Sequence, residues 1–158
     1  MTMRRLLNGV LAVLLVVSGV AGAQTPENRL VEAIRVKANA GDAEAQWLLG
    51  LLYANGQGGV PQDYAQGVAW YRKAAEQGYA AAQSHLGFAY ANGQGVPQDY
   101  VESHQWMNLA ASRASAEDQK RYAEARDAVA KLMTPAQLAE AQKLAREWLA
   151  AFEKLGGK

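Results

Sequence analysis

The chain has 158 residues, half of them hydrophobic, a formal net charge of +1 and no cysteine. That length suits one domain. The charge balance excludes the basic excess that nucleic acid or an anionic membrane would require, and without cysteine the fold must be stabilised by packing alone.

The first predicted element stands outside the fold. Residues 1–23 have a basic start at Arg4 and Arg5, an apolar run from Leu6 to Val17 and an Ala21-Gly22-Ala23 ending. These are the parts of a secretory signal peptide cleaved after Ala23. The run is shorter than the ~20 residues of a membrane-spanning helix. Losing both arginines takes the formal charge from +1 to −1. The pattern suits a bacterial precursor, so the product is expected in the periplasm or outside the cell, with no membrane association after cleavage. Residues 24–40 then predict a capping helix over Glu27–Asn39, with Thr25 as N-cap and Pro26 in the first turn.

Residues 41–77 and 78–113 are two copies of one unit. The chain reads YANGQGGVPQDY from Tyr53 and YANGQGVPQDY from Tyr90. Gly41 and Gly78 stand 37 positions apart and Trp70 and Trp106 stand 36 apart, the extra Gly59 making the difference. A period of this size signals a solenoid of helical hairpins. In each copy a first helix carries Leu49, Gly50 and Tyr53, or Leu86, Gly87 and Tyr90, on one face. The two glycines mark close helix crossings. Asn55-Gly56 and Asn92-Gly93 end that helix, and Pro61 and Pro97 keep the following loop from becoming helical. Asp63 and Asp99 then cap a second helix, with Gln66 and Glu102 placed for capping boxes. That helix carries Trp70, Ala74 and Ala75, or Trp106, Ala110 and Ala111. The repeated phrase lacks the Gly-Lys-Ser/Thr of a P-loop and follows no strand, so it reads as a joint rather than a phosphate cradle.

Residues 114–158 predict a closing helical hairpin. Thr134 and Gln137 form a capping box around Pro135. Leu138, Ala141, Ala145, Trp148 and Phe152 make an apolar stripe, and Gly156-Gly157 ends the chain's last helix. The expected fold is all-α, a right-handed solenoid of antiparallel hairpins with about seven helices.

The repeated residues resemble the Sel-1-like repeat, a relative of the tetratricopeptide repeat. The first copy carries the family's pattern at Gly41, Ala43, Ala45, Leu49, Gly50, Tyr53, Gly56, Gly58, Val60, Asp63, Trp70, Ala74 and Ala75. The second carries it at Gly78, Ala80, Ala82, Leu86, Gly87, Tyr90, Gly93, Gly95, Val96, Asp99, Trp106, Ala110 and Ala111. Gly67 and Ser103 replace an alanine of the pattern, and Gly67 should loosen its helix. The charged C-terminal pair resembles the closing cap of many such bacterial proteins. The resemblance implies a non-enzymatic module, monomeric, that binds a protein or peptide: an envelope protein, an assembly factor or a host factor. Some cysteine-rich members of the family are linked to β-lactam binding or hydrolysis. Without their cysteines, binding or hydrolysis of cell-wall fragments or β-lactams stands only as the alternative.

The residues give catalysis little support. His85 and His104 are the only histidines and lie on helices of different type. No metal-ligand spacing, G-x-S-x-G elbow or S-x-x-K motif occurs, and no cofactor is expected. By analogy with tetratricopeptide geometry, first-type helices line a concave groove. The residues facing it would be Glu44, Trp47, Leu51 and Asn55, then Ala81, Ser84, Phe88 and Asn92. Trp47, Leu51 and Phe88 would be its apolar anchors, with the asparagines at its rim. The competing expectation is that these side chains bury against the cap helices. Trp70, Trp106 and Trp148 are expected in the core.

Overall fold

The computed structural model describes residues 26–157; the leader, its cleavage site and Thr25 lie outside them. Among the described residues seven helices and no strands follow one another: α1 Pro26–Asn39, α2 Ala43–Asn55, α3 Tyr64–Glu76, α4 Ala80–Asn92, α5 Tyr100–Arg113, α6 Ala116–Ala130 and α7 Pro135–Lys154. Each packs on the next as far as α6, and α7 returns to pack on α5. The result is an α-solenoid whose two repeats are the hairpins α2–α3 and α4–α5.

The repeated phrase is the joint of each hairpin, and its bonds recur. Gly56 and Gly93 take left-handed conformations, φ 64° and 65°, and stop α2 and α4. Gln62 Nε2 donates to the Ala54 carbonyl at 2.9 Å and Gln98 Nε2 to that of Ala91 at 2.7 Å. Each satisfies a carbonyl that the helix end leaves open. The Asp63 N–H closes the loop onto the Tyr53 carbonyl at 2.8 Å, and that of Asp99 onto Tyr90 at 3.0 Å. The same aspartates cap the next helix: Asp63 accepts from the Gln66 N–H at 3.0 Å, and Asp99 from those of Val101 and Glu102 at 2.8 and 3.1 Å. Gly59 is exposed in the first loop and leaves every one of these pairs intact.

The two expected capping boxes are only half formed. The aspartate N–H that Gln66 or Glu102 would have bound is already committed to the tyrosine carbonyl. The Glu102 carboxylate accepts instead from Trp106 Nε1 at 3.0 Å. At Thr134, where no hairpin joint competes, the box is complete: the Thr134 N–H donates to Gln137 Oε1 at 2.9 Å and the Gln137 N–H to Thr134 Oγ1 at 3.2 Å.

Within each hairpin the helices cross at the expected glycines. A methyl on Gly50 would stand 2.6 Å from the Tyr71 ring and 3.0 Å from the Gly67 carbonyl oxygen. One on Gly87 would stand 2.7 Å from Met107 Cγ and 3.1 Å from the Ser103 oxygen. Gly67 packs at this crossing too. Its own added methyl would meet the Gly50 oxygen at 3.0 Å, so two glycines face each other at this crossing. Beside the crossings Leu49 and Leu86 are fully buried, each worth ~1.5–3 kcal/mol of transfer free energy.

A further repeated bond ties each hairpin to what precedes it. Buried Gln46 donates from Nε2 to the Ala38 carbonyl at the end of α1, at 3.1 Å. Buried Gln83 donates in the same way to the Ala75 carbonyl at the end of α3, also at 3.1 Å.

The closing pair differs from a packed hairpin. Both α6 and α7 take α5 as their main partner rather than each other. Helix α6 is highly charged and buries only Tyr122 and Val129, too narrow a stripe for two neighbours. Helix α7 buries Ala141 and Ala145 and sets Trp148 edge-on to Trp106, ring centroids 6.1 Å apart. No helix among the described residues is long and apolar enough to cross a membrane.

Candidate partner-binding cleft

The two first-type helices and the helix between them frame a cleft of about 330 Å³. Helix α2 contributes Leu51, Ala54 and Asn55, and α3 contributes Tyr64, Val68 and Tyr71. Helix α4 and the loop after it contribute His85, Phe88, Ala89 and Gln94. None of these side chains carries a fixed charge. Phe88 is 44% exposed, a large apolar ring left open to solvent.

The sequence-predicted groove is thus assembled in part. Leu51, Asn55 and Phe88 meet in the cleft. Trp47 adjoins it, half-buried, its ring 5.7 Å from that of Tyr79 and 5.9 Å from that of His85. Trp47 therefore packs on the next repeat, which neither sequence expectation foresaw. Glu44 is exposed and outside the cleft lining. Ser84 is 2% exposed and faces the core, so it cannot touch a partner in this structure. Asn92 is exposed outside the lining, and its Nδ2 donates to the Phe88 carbonyl of its own helix at 3.0 Å. Ala81 is half-buried and accepts from His85.

His85 is the residue that the groove reading passed over. Positions 81, 85, 88 and 92 follow helical spacing more closely than 81, 84, 88 and 92. Ser84 holds the repeat register of Trp47, 37 positions on, but is buried where Trp47 is half-buried. Tyr64, Val68 and Tyr71 were also missed, because second-type helices were assumed to stay out of the groove.

The electrostatics are those of a neutral site. Burial holds the His85 pKa below its usual value; the hydrogen bond with the Ala81 carbonyl works against that, and Arg121 adds to it. Burial pushes the Tyr71 hydroxyl up to about 12. Both groups are therefore uncharged at neutral pH. Among the described residues no group of three or more His, Cys, Asp or Glu could hold a metal ion.

Among the described residues two further clefts lie at the two ends of the repeats. One of about 560 Å³ lies between α1 and the first loop, lined by Leu30, Val31, Ile34 and Leu52. The other, of about 430 Å³, opens where α6 and α7 diverge over α5 and is lined by His104, Asn108, Arg126 and Arg146 among others. His104 is buried, and its Nδ1 has no partner among the described residues.

The Sel1 repeat family model matches residues 43–79 and 80–115, the predicted repeats shifted by two positions. Among solved structures, the chain is similar to a protective antigen present in uropathogenic Escherichia coli strains that displays an SLR fold. The two share 33% identity with a TM-score of 0.72, over 89% of this chain and 31% of that one. It is also similar to a Sel1 repeat protein from Oxalobacter formigenes, at 34% identity and a TM-score of 0.48, over 61% of this chain and 34% of the other. The chain spans about a third of the length of either. No curated protein matches it.

Proposed function

The chain belongs to the Sel1 repeat family, and from that premise we propose that it is a non-enzymatic scaffold or adaptor of the bacterial envelope, exported by its leader, which holds a peptide segment of a protein partner in the cleft between α2, α3 and α4. Sel1 repeat proteins generally mediate protein–protein interaction. The observation that carries the reading to this cleft is Phe88. A large ring exposed beside Leu51 on an uncharged surface has a solubility cost that a binding role explains. Rigid aromatic anchors of this kind dominate interfaces.

The test is a selection of binding peptides from a random library on the purified protein, followed by calorimetry. Phe88→Ala should weaken the selected peptides by about 30-fold or more, the effect of losing a central anchor of ~2 kcal/mol. Its folding stability should change by no more than ~0.5 kcal/mol, because the ring is exposed. Undiminished affinity of the Phe88→Ala protein would remove this cleft as the binding site.

A further inference from the structure

We propose that the cleft where α6 and α7 diverge over α5 binds a carboxylate, carried by an acidic side chain or a chain terminus, with Arg146 and Arg126 as its anchors. It shares no lining residue with the cleft between α2, α3 and α4 and does not depend on that site. Both closing helices pack on α5 rather than on each other, and the gap between them is a cleft of about 430 Å³. Its lining carries two arginines and one aspartate, a net charge of +1 (2 − 1).

The two arginines play different parts. Arg126 is fixed in place. Its Nε and Nη2 donate to Asp127 Oδ1 at 2.9 and 2.7 Å, and its Nη1 donates to Asn108 Oδ1 at 3.2 Å. A guanidinium has five N–H groups, so two remain for a ligand after these three bonds. Asn108 is oriented by the same contact. With its oxygen committed to Arg126, its Nδ2 donors have no partner among the described residues. Arg146 is exposed, and no hydrogen bond or ion pair among the described residues engages its guanidinium. Asp127 balances Arg126, so the charge of Arg146 is the one left uncompensated. Buried His104, from α5, adds no charge near neutral pH. Burial holds its ring below the usual pKa and Arg126 adds to that, against the pull of Asp127.

These features select the ligand. The planar fork of an arginine matches the two oxygens of a carboxylate. One uncompensated positive charge is met by one negative charge. A doubly charged anion would bring its excess charge up to the Asp127 carboxylate, so sulfate and phosphate groups fit poorly. Ala130 and Leu138 complete the lining with apolar surface for the short aliphatic stem that carries the group.

The experiment is an NMR titration of the isotope-labelled protein near neutral pH and at constant ionic strength. The probes are N-acetyl-glutamic acid α-amide, with one side-chain carboxylate, N-acetyl-leucine, with one terminal carboxylate, the neutral N-acetyl-glutaminamide, and sulfate. At least one carboxylate should shift the side-chain resonances of Asn108, Arg126 and Arg146. It should bind about fivefold or more tightly than glutaminamide, the advantage of a charge-assisted hydrogen bond over a neutral one. The tighter of the two carboxylates identifies the source. Arg146→Gln should bring that carboxylate and glutaminamide to equal affinity, and Arg146→Lys, which keeps the charge but loses the fork, should bind the carboxylate more weakly than the unaltered protein. A preference for carboxylate that survives in the Arg146→Gln protein, or undiminished affinity in the Arg146→Lys protein, would overturn the anchoring role. Sulfate binding as tightly as the better carboxylate would reduce the site to an adventitious ion only. Absence of any shift at Asn108, Arg126 and Arg146 with either carboxylate would overturn the site outright.

Discussion

Trp70 and Trp106 occupy the same place in the two repeats and have different fates. Trp106 is 4% exposed, its indole N–H held by Glu102 and its edge against Trp148 of α7. Trp70 is half-buried, and Lys73 Nζ lies over its ring, 3.9 Å from the centroid. The difference lies in what covers each hairpin. Helix α7 packs on α5, whereas the main partners of α3 are α2 and α4. A repeat therefore specifies the helix and its face, and the neighbour specifies how much that face is worth.

Three pairs of substitutions test that lesson. The largest effect belongs to the tryptophans. Trp106→Ala should cost ~3–5 kcal/mol in urea denaturation, as for a fully buried aromatic side chain. Trp70→Ala should cost roughly half that, since part of its ring already meets water. Equal costs would show that the register sets the energetics and the cover does not. Next come the crossings. Gly50→Ala and Gly87→Ala each gain ~1 kcal/mol of helix propensity but should lower the thermal midpoint, because overpacking costs ~1–3 kcal/mol. Gly50→Ala should be the worse of the two. Its methyl meets the ring of buried Tyr71, whereas that of Gly87 meets a methionine chain that can bend aside. A raised midpoint in either protein would mean that its helices stand further apart than described.

The smallest effect distinguishes the linking glutamines. Gln46 Oε1 accepts from Gln77 Nε2 at 2.8 Å, whereas buried Gln83 Oε1 has no partner among the described residues. The residue equivalent to Gln77 is Arg113, which donates to the Gly78 carbonyl at 3.0 Å and lies over the Phe152 ring. Gln46→Leu should then cost ~1–2 kcal/mol, for two lost hydrogen bonds. Gln83→Leu loses one bond but removes an unsatisfied oxygen, and should be neutral within ~0.5 kcal/mol. Matching losses in chemical denaturation would show that the two links are equivalent after all.

What could be read from the sequence was whatever a residue decides within its own hairpin. The stop at Gly56 and Gly93, the caps at Asp63 and Asp99, and the crossings at Gly50 and Gly87 depend on neighbours a few residues away or on the hairpin partner. The repeat spelled each of them twice. Part of the cleft lining was legible for the same reason: Leu51, Asn55 and Phe88 follow from helical spacing alone. The rest depended on what lies across from a helix. Ser84 follows the register of Trp47, yet the core takes it. His85 was set aside as a poor catalyst and proved to line the cleft. Glu102 was expected to cap a backbone N–H that the loop had already claimed. The divergence of α6 and α7 had no local signal, since it follows from the narrow apolar stripe of α6 set against the surface that α5 offers.

The bonds from Gln46 to Ala38 and from Gln83 to Ala75 each reach back eight residues. A link of such short range is inherited whole whenever its stretch of gene is copied. A duplicated hairpin arrives with its own bolt and finds the matching carbonyl on whatever second-type helix precedes it, so a lineage can lengthen or shorten this molecule without inventing a new interface. Growth of that kind lengthens a solenoid one hairpin at a time. It also sets a constraint, because a unit that lost a fully bonded glutamine such as Gln46 would pass the weakened joint to its copies.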